Sequence, residues 1–218
     1  MCLLNLSLLV FLKAFTGLVH AQIDLGTAAS FGIVANVAVT NVGSTLVTGS
    51  VGLYLNTETS ILEFPAGQTS EIHAGDTVAY QAYRDASQAF AASVNLATTS
   101  QISETNLGSL TFTPGIYRSA SSVGITGTLT LDGQNNPNSL FVFQIGNTLS
   151  TASSANVVLM NGARVCNVFF SVRSAATLGS LTKFNGNILA FGAIASYGNV
   201  IVNGGLYAIY GAVTLINN

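Results

Sequence analysis

Five short segments of the chain carry the same small-residue triplet: Gly124-Ile125-Thr126, Thr148-Leu149-Ser150, Ala175-Ala176-Thr177, Ala193-Ile194-Ala195 and Ala212-Val213-Thr214. Side chains alternate across a β-strand, so a buried middle residue such as Leu149, Ile194 or Val213 sends both of its neighbours outward. Stacked strands lie ~4.8 Å apart and alternate residues on one strand ~6.6 Å apart, so the outward residues would form a flat grid of methyls and hydroxyls. Such a grid has no nucleophile, acid or base to offer. A small molecule needs a concave pocket, and a flat grid suits a surface that is itself periodic. Small residues also recur in any stack of coils with tight turns, so the triplets alone leave a purely structural role open.

The elements that must position these triplets follow from a repeat. Asn167, Asn185 and Asn203 are each 18 residues apart, and each opens an apolar strand followed by small residues. A short fixed period means stacked coils, and one coil cannot bury its apolar side without a neighbour, which makes each a rung of a β-solenoid. The last triplet comes 19 residues after the one before it, placing an inserted residue near Ile209-Tyr210 and an expected bulge that tilts Tyr210 relative to the face. From Leu25 to Thr59, β-branched runs broken by Gly, Asn and Ser read as strands. Ala79, Tyr83, Ala86, Phe90 and Val94 then form an apolar stripe on a helix spanning about 77–95, with Asp76 as its N-cap. Residues 97–110 read as loop, Thr113-Pro114-Gly115 as a turn, and everything after Ile116 as β. The expected fold is mostly β, a parallel β-helix with one long helix packed along its side to cover apolar surface that the coils leave open.

Composition removes several classes of function. Charged residues make up 6% of the chain and apolar ones 49%. Nucleic acid is excluded as a partner, because no basic stripe can be drawn from six Lys plus Arg. Residues 1–21, with an apolar run from Leu3 to Leu12 and small Ala21 at the end, read as a secretory signal peptide. The run is too short to cross a membrane. A single domain over 22–218, monomeric and secreted, is expected, with a net charge of −3 from five basic and eight acidic residues. Cys166 would then have no intramolecular partner, and its place beside an apolar run suggests a small buried core residue. The acids Asp24, Glu58, Glu63, Glu71, Asp76, Asp85, Glu104 and Asp132 fall outside the repeated coils and do not pair along the sequence, which argues against an enzyme. His73, just before the helix, reads as a local hydrogen-bonding partner. No catalytic residue, metal site or cofactor is expected.

Two periodic ligands fit a neutral grid: crystalline ice and a stacked polysaccharide. Between them the sequence adds a resemblance. The segments DLGTAASFGIVANVAVTNVGSTLVTGSVG (24–52), EIHAGDTVAYQAYRDA (71–86), FTPGIYRSASSVGITGTLTLDGQNNPNSLFVFQIGNTLSTAS (112–153), VVLMNGARVCNVFFSVRSAATLG (157–179), FNGNILA (184–190) and VNGGLYAIYGAVTL (202–215) resemble, in order, the microbial ice-binding proteins built on a discontinuous β-solenoid. The resemblance implies a right-handed solenoid of triangular section, an N-terminal part inserted between later coils, and a flat face that meets ice through ordered water.

On that reading the face comprises Gly124, Thr126, Thr148, Ser150, Ala175, Thr177, Ala193, Ala195, Ala212 and Thr214, and Ala38, Thr40, Thr48 and Ser50 join it if their coils insert as the family's do. The family's loose motif of Thr, Ala or Gly, any residue, then Thr or Asn survives in part at Ala175-Ala176-Thr177 and Ala212-Val213-Thr214. It is broken at Ala195, and Ser174, Gly192 and Gly211 stand where its first Thr belongs, so moderate ice activity is expected. The alternative is a carbohydrate-binding or adhesive module, which would gain if Tyr197, Tyr207 and Tyr210 projected from one face.

Overall fold

Parallel ladders organise nearly all of the chain, since each strand is too short to be stable without the strands above and below it. The structure, a computed structural model, describes residues 23–43, 45–64 and 68–217. The leader expected over residues 1–21 lies outside them. Among the described residues, the strands form three parallel sheets of nine, seven and five strands, which are the three sides of a β-solenoid. One coil runs from Phe141–Ile145 on the first side through Leu149–Thr151 on the second to Asn156–Met160 on the third. The next coil lies on it, with Phe141 opposite Val168, Leu149 opposite Ala176 and Asn156 opposite Lys183.

Stacking order and chain order differ. The C-terminal coil, Leu206–Ala208 and Val213–Ile216, lies between the coil that precedes it and the N-terminal strands Phe31–Ala35 and Val39–Val42. The N-terminal part therefore stacks beyond the last coil, with Ser50–Leu53 and Ile72–Ala74 further out, and is not inserted between later coils as the resemblance implied. The helix Thr77–Asn95 makes this possible. Its 19 residues span about 28 Å, or about six strand spacings, and carry the chain back along the stack to restart at its far end with Ser100–Gln101.

Inside the solenoid, aromatic rings stack along the axis as the strands do. Tyr117 and Phe143 lie 5.4 Å apart, Phe143 and Phe170 4.7 Å, and Phe170 and Phe184 4.8 Å. The central strands of the first side, Phe141–Ile145, Val168–Val172, Asn187–Ala190 and Leu206–Ala208, are buried on both faces. Phe141, Phe143, Phe170 and Ile188 point into the coils, while Val142, Phe169, Leu189 and Tyr207 pack beneath the helix.

The helix meets them through Ala79, Ala82, Ala86, Ala89 and Ser93, a line of small residues that lets its backbone approach the sheet closely. The apolar stripe is thus rotated from the one read in the sequence: Tyr83, Phe90 and Val94 are only half-buried and flank the contact. Polar groups at the C-terminal end of this interface are matched. Gln144 Nε2 donates to the carbonyls of Ser93 and Leu96 at 2.9 Å each, satisfying acceptors at the helix C-terminus, and Ser171 Oγ donates to Ser93 Oγ at 2.5 Å. The Tyr207 hydroxyl donates to Ala28 O at 3.2 Å, and burial pushes its pKa up.

At the other end Asp76 caps the helix, its Oδ1 accepting from Ala79 N at 2.7 Å. His73 bonds to Asp76 Oδ2 at 2.8 Å and to Glu71 Oε2 at 3.3 Å, the local partnership expected of it. Burial acts to lower the His73 pKa, but the hydrogen bonds and charges of Asp76 and Glu71 outweigh it and raise the value. Cys166 is a correction. It sits in the short helical turn Val165–Asn167 between the third and first sides, where its side chain is exposed, not buried with the adjacent strand.

Two predictions follow from the helix. Ala86→Leu forces extra volume into a contact with no space for it and should destabilise the fold by about 1–3 kcal/mol, read as a lower Tm with an unchanged circular dichroism spectrum at 10 °C. Because the folded-state pKa of His73 lies above the unfolded-state value of about 6.5, its contribution is complete below about pH 6.5 and fades as the pH rises through the folded-state value. Lowering the pH from 8 to 6 should raise the Tm of wild type more than that of His73→Gln; equal shifts would contradict the His73 linkage.

Candidate functional site

The three sides of the solenoid differ in what they offer to solvent. The first is covered by the helix. The third carries Asp132, Lys183, Met160 and Ile201 on its outer surface, an uneven mixture of charge and bulk. Asp132 is held below the usual carboxylate range by hydrogen bonds from Gln134 N and the Asn161 side chain. Among the described residues, the second side has no charged residue on the outer face of its ladder.

Strand register turns that side into rows. The middle row runs Gly124, Ser150, Thr177, Ala195, Thr214, Thr40 and Leu62, each directly opposite the next. Two residues earlier lies a first row, Ser122, Thr148, Ala175, Ala193, Ala212 and Ala38, joined by backbone hydrogen bonds such as Leu149 N to Ala175 O at 3.1 Å and Val213 N to Ala38 O at 3.0 Å. Two residues later a last row begins with Thr126, Ala152 and Gly179 and ends with Tyr197, Ile216 and Val42. Beneath the rows, Val39, Val213, Ile194, Ala176, Leu149 and Val123 point inward and are buried. The alternation read in the sequence thus places Gly124, Thr148, Ser150, Ala175, Thr177, Ala193, Ala195, Ala212 and Thr214 together in two adjacent rows, and Ala38 and Thr40 join them.

Three expected members are displaced. Gly124-Ile125-Thr126 is one step out of phase with the other triplets: Gly124 stands opposite Ser150 and Thr126 falls in the last row. The first-row residue of that coil is Ser122, whose Oγ accepts from Thr148 Oγ1 at 2.9 Å. Ser50 belongs to the helix-side sheet, opposite Phe31, and Thr48 lies on the loop leading to it, so neither reaches the face. Their coil turns onto the second side only at Ile61–Leu62, and the residue it presents there is Leu62.

The corner leading onto the face is kept tight by glycine. A Cβ on Gly211 would lie 2.4 Å from Ala193 N, so a side chain there would push the last coil away from its neighbour. The inserted residue of this coil is absorbed at the same corner, between Ala208 and Val213, and leaves the ladder in register. No bulge tilts Tyr210 against the face; its ring packs on Phe191 with centroids 4.7 Å apart. The three tyrosines that would have favoured a sugar platform are dispersed. Tyr207 is buried under the helix, Tyr210 sits at the corner, and Tyr197 is half-exposed in the last row.

Acidic and basic side chains stay away from the rows, and among the described residues no group of three or more His, Cys, Asp or Glu could hold a metal ion. The arrangement offers a flat, neutral, weakly polar surface. Residues 33–218 match the family described as ice-binding-like. The chain belongs to that family. An ice-binding protein of Nostoc sp. (strain HG1) is 44% identical over 196 residues, covering 89% of this chain and 72% of the relative. Two solved structures share the architecture. The ice-binding protein of the Antarctic ascomycete Antarctomyces psychrotrophicus superposes with a TM-score of 0.84 at 38% identity, covering 89% of this chain and 95% of that one. An ice-binding protein from an Antarctic biological consortium gives 0.86 at 36% identity, covering 90% and 89%. In this member of the ice-binding-like family, Thr126, Ser150 and Thr177 are the exposed serine and threonine residues of the rows.

Exposed side chains of this kind contribute little to folding. Ser150→Ala and Thr177→Val should each shift stability by no more than about 0.5 kcal/mol, measured by urea unfolding. A larger loss would mean that the rows hold the fold together and are not free to serve another purpose.

Proposed function

We propose that the protein adsorbs to ice through the second side of the solenoid, pins the growing front and blocks recrystallisation, without cofactor or turnover. One observation carries the assignment of the face: of the three sides, the second alone is both uncovered and uncharged, with small residues in register over five successive coils, from Ser150 to Thr40. A charge would hold its own hydration shell in an arrangement foreign to the crystal. Methyls of Ala175, Ala193, Ala195, Ala212 and Ala38 instead oblige water to form a cage over them, and hydroxyls of Ser150, Thr177, Thr214 and Thr40 anchor that layer by hydrogen bonds. The anchored layer then merges with the crystal's own.

Rigidity is part of the mechanism. Every strand of the face but the outermost is hydrogen-bonded on both edges, so the grid keeps its spacing when water freezes against it. Secretion as a single chain fits this role, because ice forms in the surroundings of a cell, and the apolar run Leu3 to Leu12, with small Ala21 as the cleavage point, supplies the export signal.

The test is an ice recrystallisation assay and a thermal hysteresis measurement on wild type, Thr177→Tyr in the middle row and Thr130→Tyr on the third side. A bulky ring at the centre of the rows should reduce both activities by at least about half, since it holds the surfaces apart, whereas Thr130→Tyr should behave as wild type. Full activity in Thr177→Tyr would remove the proposed face. A wild type without effect on ice would remove the function.

A further inference from the structure

Cationic side chains are scarce in this protein, with six Lys plus Arg in 218 residues, yet two of them border one cavity. Arg118 and Arg173 are exposed on the outer face of the first side, Arg118 within Gly115–Ser119 and Arg173 just after Val168–Val172. Register fixes their relation. Arg118 stands opposite Gln144, Gln144 opposite Ser171, and Arg173 follows two residues after Ser171. Two strand spacings and two residues along the strand put their Cα atoms about 12 Å apart, diagonally across the ladder. Between them lie Ala120 and Gly146, where the ladder continues through Gly146 N to Ser119 O at 2.9 Å and Arg173 N to Ile145 O at 3.0 Å. A Cβ on Gly146 would lie 2.4 Å from Ala120 O, so no side chain can rise from the floor there. Val94 of the helix supplies a wall, and the cavity has a volume of about 270 Å³.

Both guanidiniums are free to take a ligand. Among the described residues neither forms a salt bridge, the two ion pairs present being those of His73, and neither donates a side-chain hydrogen bond within the protein. The helix end beside them does not need them. Gln144 Nε2 takes the carbonyls of Ser93 and Leu96, and Gln144 Oε1 accepts from Thr98 Oγ1 at 3.3 Å. No acidic residue borders the cavity. Two permanent positive charges thus face one small space with no counter-charge among the residues that line it.

We propose that this cavity binds a tetrahedral oxyanion, a phosphate or sulfate group either free or carried as a monoester on a larger molecule. A guanidinium presents a planar fork of N–H donors that meets one pair of oxygens. A carboxylate has one such pair and one charge, which a single arginine satisfies. A tetrahedral dianion has several pairs and two charges, which suits two forks approaching from opposite corners. The volume is just below the ~300–1,000 Å³ of sites for drug-sized ligands, so the space suits the ion and a few linked atoms. The negative end of the helix dipole lies beside the same space and opposes an anion, so binding requires both arginines. Ala120, Gly146 and Arg173 lie two residues before Ser122, Thr148 and Ala175 of the first row. A bound group therefore sits around the corner from the uncharged face and leaves it uncovered.

The test is isothermal titration of the full protein with inorganic phosphate at about pH 8, where the ion is largely a dianion, against sodium chloride of equal ionic strength. Saturable one-site binding is expected, at least about tenfold weaker in Arg118→Gln and in Arg173→Gln. It should be unchanged in Arg164→Gln, whose exposed side chain lies outside the cavity. Arg173→Lys keeps the charge but not the fork and should also bind more weakly than wild type. Ala120→Glu keeps both arginines and places a carboxylate in the cavity; it should abolish binding while the circular dichroism spectrum stays that of wild type. If the arginines only complement the helix end, the Gln variants will lower the Tm without changing phosphate affinity, and that result would overturn the proposal, as would wild-type binding no stronger than the chloride control. Retention on dextran bearing phosphate monoesters, released by free phosphate, identifies a polymer-borne ligand; saturable phosphate binding without retention identifies the free ion. Ice recrystallisation inhibition, read on the same variants, should not change, which keeps the fate of this site separate from that of the ice face.

Discussion

No coil of this protein can bury its own apolar side, and the structure follows from how that constraint is met. A rung has side chains pointing inward and a backbone with donors and acceptors on both edges, so it is stable only between two others. Parallel stacking answers both needs at once, because the same register that pairs Leu149 with Ala176 and Ile194 with Val213 also brings their inward side chains into contact. The register has a second consequence. Whatever points inward in one coil forces the residue beside it outward in line with its counterparts, so a solenoid that packs its core well acquires rows on its surface without further specification. The helix closes the system by returning the chain to the far end of the stack, and its alanine line covers the one side whose strands are apolar on both faces.

The three sides then divide the work. The helix-side sheet stores most of the apolar area, with large residues such as Phe169 and Tyr207 facing the helix. The third side carries charge, with Asp132 and Lys183 on its strands, in a chain with only 6% charged residues. The second side is freed from both duties. Its inner residues are compact aliphatic ones and its outer residues are mostly Ala, Ser, Thr and Gly, and tight corners at positions such as Gly211 keep its strands level. A flat surface of this sort is set by exclusion as much as by choice. Any charge or large ring placed on the first two rows would spoil its flatness, and none is found from Ser122 to Ala38.

Much of this was legible in the sequence wherever one coil follows the next in the chain. The 18-residue step, the helix with its Asp76 cap and the inside-outside alternation at Leu149, Ile194 and Val213 are local properties, written in residue types and intervals. What could not be read are properties of pairings between distant segments. Ser50 has the composition of a face residue, yet its partner across the ladder is Phe31, and only the stacking order reveals it. Gly124 and Ser122 fit the triplet equally well until Val123 is seen opposite Leu149. Cys166 stands next to an apolar strand, but the backbone turns a corner between Cys166 and Val168, and that corner puts the thiol outside. The helix stripe was misplaced for a related reason: Tyr83 and Phe90 are the more apolar choice, but the sheet beneath is already crowded with Phe169 and Tyr207, and only alanine fits.

The face is not uniform, and its gradient bears on how it can work. Toward the end of the stack nearest Gly124 all three rows carry small or hydroxylated residues: Ser122, Thr148, Ser150, Thr126 and Ala152. Toward the N-terminal coils the first row is pure alanine, and the last row rises into Tyr197, Ile216 and Val42, two of which are more than 40% exposed. A crystal plane resting on the first and middle rows meets an even surface along the whole axis, while the last row limits contact to the half where Thr126, Ala152 and Gly179 stand. The broad end offers hydroxyl anchors and the narrow end mainly methyls over a strip two residues wide. Under the proposed function, water at the broad end is held by hydrogen bonds from all three rows and at the narrow end by caging over the alanines, with Thr214 and Thr40 as its anchors. Adhesion under the proposed function begins where the anchors are dense and spreads along the alanine row, and Tyr197, Ile216 and Val42 form a raised rim that would restrict how a crystal is oriented on the protein.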